Sequence, residues 1–178
     1  MRANHLAQAA IVHAAHLPCT VGPPTMFSLE HKIPPPVIAL LCAVVAWLVA
    51  RATPELAYLL PARIPVAVLL VGTGLALDFS GLLAFRKAKT TFNPLAPDRS
   101  TAIVQTGLYR FTRNPMYLGM VIQLLGLCVY LANPWTLVAV VVFVAYITRF
   151  QIIPEERFLR AKFGAPYVQY TQSVRRWL

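Results

Sequence analysis

Two polar clusters interrupt an otherwise apolar chain. The first reads Thr106-Gly107-Leu108-Tyr109-Arg110-Phe111-Thr112-Arg113-Asn114-Pro115-Met116-Tyr117-Leu118-Gly119. Asn114 followed by Pro115 fits the cap and first position of a helix. A helix starting there offers unpaired N–H groups and the positive end of its dipole. With Arg110 and Arg113 beside them, these make a natural site for a carboxylate or phosphate. Tyr117 lies three residues beyond Asn114 and shares its helical face. Gly119 has no side chain, so a ligand or a neighbouring helix can come close. The second cluster reads Arg149-Phe150-Gln151-Ile152-Ile153-Pro154-Glu155-Glu156-Arg157-Phe158. Pro154 starts or bends a helix, and Glu155 and Glu156 fall in a first turn that favours negative charge. If the two clusters meet, donors line one wall and carboxylates the other. Such a pocket suits a zwitterionic ligand carrying a carboxylate, an ammonium group and hydroxyls. Each part also has a plain structural reading as a cap, an interfacial anchor or a surface Glu–Arg pair.

The elements between the clusters must bring them together. A bilayer crossing needs about 20 mostly apolar residues. Four windows approach this: Val37 to Ala50, Val66 to Phe85, Met116 to Ala132, and Trp135 to Ile153. The last two are joined only by Ala132-Asn133-Pro134-Trp135, a link short enough to demand an antiparallel hairpin. The hairpin returns the acidic pair beside Asn114 to Gly119. The expected fold is therefore an all-α integral membrane protein with about four transmembrane helices, a C-terminal helical hairpin and short cytoplasmic helices. Residues 1–32 read as a peripheral extension, and 33–178 as one domain whose polar site occupies about 85–178. The extension mixes Ala, His, Pro and Gly around a weak apolar stretch, and Met26 is an alternative start.

Composition agrees. The 178 residues are 58% apolar and 12% charged, about half the charge of a soluble domain. A soluble enzyme, a disordered chain and a disulfide scaffold are poor readings. Of the 16 Lys and Arg residues, twelve fall in Arg86–Arg113 or from Arg149 onward, on one side of the expected spans. The positive-inside rule puts that side, both termini and the polar site in the cytoplasm. Anionic lipid explains this belt better than nucleic acid does. Cys19, Cys42 and Cys128 and the four histidines, all before residue 32, have no metal-ligand spacing. Gly72-Thr73-Gly74 lacks the context of a nucleotide loop and reads as helix packing. Asp78 lies inside a span, where an acid is a functional candidate, a paired residue or a cap.

The order and spacing of the motifs resemble the isoprenylcysteine carboxyl methyltransferase family, which is related to membrane phospholipid methyltransferases. The resemblance rests on Gly107-Leu108-Tyr109, on Arg113-Asn114-Pro115-Met116-Tyr117-Leu118-Gly119, on the Asn133-Pro134 turn, on Glu155-Glu156, and on Phe163-Gly164 with Tyr167 and Tyr170. Thr90-Thr91-Phe92-Asn93-Pro94 resembles the short bacterial members; in a bacterium the membrane would be the inner, plasma membrane. The resemblance implies S-adenosylmethionine as methyl donor and a lipophilic small-molecule or lipid acceptor, with membrane lipids around it and neither nucleic acid nor metal as partner. Val104, Thr106, Gly107, Tyr109, Asn114, Pro115, Tyr117, Gly119, Glu155 and Glu156 would form the cofactor site. Arg149 and Glu156 would serve the reaction, Arg149 by orienting the acceptor. Asn114 replaces the family's His and cannot titrate near neutral pH, so a cofactor contact suits it better than a base. The implied acceptor is the carboxylate of an isoprenylcysteine-like substrate. A phospholipid amine, a thiol, a non-enzymatic lipid- or partner-binding role and an NADPH-dependent reductase remain alternatives.

Overall fold

The computed structural model describes residues 30, 32–54, 60–87 and 102–178, and the backbone of 11–13. Helix α1 spans Pro35–Ala52 and follows the Ile33-Pro34-Pro35-Pro36 lead-in. Proline costs nothing in a first turn whose N–H groups have no helical partner. Helix α2 spans Arg63–Lys87. It begins earlier than the apolar window suggested, because Pro65 is tolerated in its first turn. Helix α3 covers Pro115–Leu131, and α4 covers Leu137–Ile147. A π-helical turn at Thr148–Ile152 carries α4 without interruption into α5, Ile153–Phe163. Helix α6, Ala165–Ser173, closes the described fold.

Three of the four apolar segments, Pro35–Ala52, Arg63–Lys87 and Pro134–Phe163, are long and apolar enough to cross a bilayer, and Pro115–Leu131 is a shorter apolar helix. Only 22%, 17% and 39% of the three long apolar windows is buried within the protein. Leu40, Val68, Leu69, Phe79 and Val141 all face outward. Apolar surface this extensive is stable against lipid rather than water.

Helices α2 and α3 pack antiparallel through small residues. A Cβ on Gly74 would stand 2.5 Å from the Gly119 carbonyl oxygen, and one on Gly126 would stand 3.1 Å from that of Ala67. Between apolar helices in lipid, such close backbone approach is the main source of cohesion. The Gly72-Thr73-Gly74 segment is thus packing at Gly74, whereas Gly72 meets nothing within 4 Å. Asp78 pairs with no cation among the described residues. Its Oδ2 accepts a 2.7 Å hydrogen bond from Gln123 Nε2 on α3.

The α3–α4 hairpin closes through Ala132, left-handed at φ 48°. Asn133 Oδ1 accepts from the Trp135 N–H at 3.0 Å, and its Nδ2 donates to Thr53 Oγ1 and O at 2.9 Å. One asparagine therefore shapes the turn and ties it to the end of α1. At the other end, Pro154 neither starts a separate helix nor breaks the existing one. It lacks an N–H and crowds the carbonyl four residues back, and the π-turn immediately before it widens the ladder to accommodate both. Within that turn Gln151 is fully buried and donates to the Ile33 carbonyl at 2.8 Å, which locks the start of α1 to α4.

The core joins Ile38, Cys42 and Ala46 of α1 to Leu124 and Cys128 of α3 and Phe143 and Ile147 of α4. Cys42 and Cys128 are buried and free, as small apolar side chains. The departure from an all-α fold among the described residues is a three-residue antiparallel ladder between β1, Ile11–His13, and β2, Ala102–Val104. Most of the expected N-terminal extension, Cys19, and the Thr90–Pro94 motif lie outside the described residues.

Candidate active site

The site is built where three stretches converge at one end of the bundle. The first is the 3-10 turn Gly107–Arg110, entered through Gly107 at φ +61°, a conformation that disfavours any other residue. This turn seats Tyr109, which packs edge-to-face on Phe85 of α2 with ring centroids 5.4 Å apart. The second stretch is the start of α3. The third is the first turn of α5, with α6 folded back after Gly164 at φ +60°. Tyr170 on α6 donates to the Tyr109 carbonyl at 2.7 Å, which joins the first stretch to the third. Burial, with the Glu155 carboxylate and Tyr170 nearby, pushes the Tyr109 phenol well above its ordinary pKa. Burial also raises Tyr170, against an opposing pull from Arg113. Both rings are therefore protonated hydroxyl donors at neutral pH.

The hairpin delivers the acidic pair to this place. Tyr117 Oη donates to Glu155 Oε2 at 3.4 Å, and Arg113 Nη2 lies 3.0 Å from Glu156 Oε1. A pocket at this junction is lined by Val104, Tyr109, Arg113, Asn114, Glu155 and Glu156, with Phe85, Ile103, Ile152, Leu159, Tyr167 and Tyr170 completing its walls. Donors and carboxylates share this lining, with Arg113 and Glu156 in direct contact rather than on opposite walls.

Among the expected site residues, Val104, Tyr109, Asn114, Glu155 and Glu156 line the pocket. Tyr117 stands behind Glu155, and Pro115 is the buried first residue of α3. Thr106 and Gly107 shape the turn beneath Tyr109. Gly119 lies against Asp78 and Gly74 at the α2–α3 crossing, so a helix and not the pocket occupies the space it frees. Arg149 is outside the pocket. Its side chain is 59% exposed, 3.4 Å from Glu30 Oε1, with its guanidinium over the Phe150 ring at 5.4 Å.

Two features of the local chemistry were not legible in the motifs. Asn114 occupies the cap position of α3, yet its side chain does not cap that helix. Its Nδ2 donates instead to the Arg176 carbonyl at 2.9 Å. Arg176 in turn grips Glu156 with two bonds, Nε to Oε1 at 3.0 Å and Nη2 to Oε2 at 2.7 Å. The hydrogen bond to Glu156 raises the Arg176 pKa above its ordinary value. No spacing rule connects Glu156 to a residue twenty positions later, so only the fold could show this pair.

A family profile described as phospholipid methyltransferase matches residues 62–166, more than half of the chain. The chain belongs to the phospholipid methyltransferase family. The matched stretch contains α2, the hairpin and both halves of the pocket's charged lining. Among similar proteins, the Saccharomyces cerevisiae protein-S-isoprenylcysteine O-methyltransferase is 35% identical over 103 residues, 54% of this chain and 42% of that protein. The Arabidopsis thaliana protein-S-isoprenylcysteine O-methyltransferase A is 43% identical over 75 residues, 40% of this chain and 36% of that protein. An uncharacterized Haemophilus influenzae protein is 43% identical over 63 residues, 35% of this chain and all of that protein. The chain thus spans about two fifths of the length of the named methyltransferases it matches. No solved structure matches it.

Proposed function

We propose that this protein is an integral membrane methyltransferase that takes S-adenosylmethionine from the cytoplasm and methylates a lipophilic acceptor reached from the bilayer. The observation that carries the reading is the pocket at the end of the hairpin, within a stretch matched to a methyltransferase family. There Arg113, Asn114, Glu155 and Glu156 line one pocket, with Arg113 paired to Glu156. The donor set fits this cofactor. Arg113 Nε is buried and lacks a hydrogen-bond partner among the described residues, which suits a carboxylate. The first-turn N–H groups of α3 are not capped by Asn114 and suit the same group. Glu155 offers an acceptor for an ammonium or a ribose hydroxyl. When bound, the cofactor supplies a methyl group already activated by its sulfonium charge.

The chain's own work is therefore alignment and exclusion of water. Tyr117 orients Glu155, Tyr109 and Phe85 wall the pocket on the α2 side, and Arg113, paired with Glu156, adds positive charge to the lining. Arg149, at the π-turn and exposed, is the residue assigned to orient the polar end of the acceptor. The relatives' names favour a carboxylate of an isoprenylcysteine-like substrate. The family description favours a phospholipid amine as the second reading.

The test has two stages. Calorimetry of the purified protein with S-adenosylhomocysteine should give saturable binding, and absence of binding overturns the cofactor assignment. Labelled-methyl transfer should then be measured with a farnesylcysteine derivative and, separately, with phosphatidylethanolamine vesicles. Base-labile label on the first supports the carboxylate reading, and stable label on the second replaces it with the amine reading.

A further inference from the structure

We propose that Arg176 is a positioning residue of the methyl-donor site, and that residues 174–178 form an outer wall behind its lining residues Arg113, Asn114 and Glu156. This rests on the methyltransferase reading above and extends it to a part of the chain beyond the family match, which ends at residue 166.

Adjacent Glu155 and Glu156 place two carboxylates at one end of the pocket, where they repel each other unless cations hold them. Glu156 has two such partners. Its side chain and that of Arg113 are each 12% exposed, whereas that of Arg176 is 37% exposed. Arg176 therefore closes the cluster from outside. Its paired bonds use both Glu156 oxygens, and this fork geometry fixes the carboxylate plane in a way that a single contact cannot. Glu156 is thereby committed to the arginines, and its neighbour Glu155 is left as the carboxylate that serves the pocket.

The backbone of the same segment binds the other wall. The Arg113 N–H donates to the Arg175 carbonyl at 3.0 Å, and Thr112 bridges to Arg175 in parallel. The Arg176 carbonyl accepts from Asn114 Nδ2 at 2.9 Å and from Thr112 Oγ1 at 3.3 Å. The segment is fastened on both sides of Arg176. Val174 is buried with Ile103, Phe163, Tyr167 and Tyr170, and Trp177 packs on the main core. One residue thus joins the start of α3 to the first turn of α5 by its carbonyl and its guanidinium at once. Because Asn114 is spent on this segment, its side chain does not cap the α3 N–H groups.

The experiment combines a binding cycle with hydrogen exchange in the ligand-free protein. Arg176→Ala should weaken S-adenosylhomocysteine binding about tenfold, the loss expected for a two-bond charged contact. Arg176→Lys, which keeps the charge and loses the fork, should recover part of the affinity. On a Glu156→Gln background, Arg176→Ala should change the affinity less than about twofold, because the two residues act as a unit. The Arg113 amide, which donates to the Arg175 carbonyl, should exchange faster in Arg176→Ala and in Glu156→Gln than in the parent protein. Wild-type affinity in Arg176→Ala, an equal loss on both backgrounds, or unchanged exchange of the Arg113 amide each overturns the proposal. If the parent protein binds no S-adenosylhomocysteine, the cofactor reading falls, and the exchange measurement still decides whether Arg176 docks the wall.

Discussion

Glu155 and Glu156 are adjacent in sequence but have different surroundings. Glu156 is held by Arg113 and Arg176, while Glu155 has the Tyr117 hydroxyl at 3.4 Å. The carboxylate with fewer internal partners is the one available to a ligand. Glu155→Gln is therefore expected to weaken S-adenosylhomocysteine binding at least tenfold, since a buried bond to a charged group contributes about 1.5–3 kcal/mol. Tyr117→Phe removes only a long bond and should cost about threefold to fivefold. Arg149→Ala should leave this affinity unchanged, because Arg149 lies outside the pocket against Glu30. Its effect should instead be a higher KM for the acceptor in the transfer assay. Calorimetry on the three variants separates these outcomes, and loss of cofactor binding in Arg149→Ala would refute its assignment to the acceptor.

At the scale of elements, two helix pairings set the site. The α2–α3 pair depends on Gly74 and Gly119, whose backbones approach so closely that a Cβ on Gly74 would meet the Gly119 carbonyl at 2.5 Å. Gly74→Ala must push the helices apart, and overpacking of this kind costs about 1–3 kcal/mol. Gly72→Ala, in open space on the same helix, should be neutral or slightly stabilising through helix propensity. Thermal unfolding in one detergent compares the two directly. Equal melting temperatures would show that the crossing is not limiting. The Gly74 variant should also bind cofactor less well, because α2 carries Phe85, against which Tyr109 is seated. The α3–α4 hairpin was readable from its four-residue link. The small-residue crossing was readable only as a general expectation at Gly74, since glycine spacing does not say which helix will face it.

For the whole molecule, the basic belt and the spans predict orientation. Arg157, Arg160 and Lys162 of α5 and Arg175 and Arg176 all lie at the end of the bundle that carries the pocket, and no basic residue occurs in the hairpin turn. From this asymmetry we propose, by the positive-inside rule, that the pocket faces the cytoplasm. In a background with the native cysteines replaced, Trp135→Cys at the exposed hairpin turn should react with an impermeant thiol reagent added outside intact cells. Ser173→Cys should react only after permeabilisation. The reverse pattern would put the pocket on the outer side and remove its access to cytoplasmic cofactor.

The sequence by itself determined the apolar spans, the hairpin, the helix start at Asn114-Pro115 and the meeting of the two polar clusters. Each follows from local chemistry: apolar length, a link too short for anything but an antiparallel return, and proline at a first turn. Only the tertiary structure decided which side chain each polar group serves. Asn114 turns from its own helix to the Arg176 carbonyl, Gly119 receives a helix in place of a ligand, and Arg149 faces Glu30 away from the pocket. The π-turn that absorbs Pro154 was equally invisible, because its cause is the continuity of α4 with α5. These outcomes depend on distances between segments far apart in the chain. Neither residue type nor spacing carries that information, because many partners satisfy the same donor or acceptor until packing removes all but one.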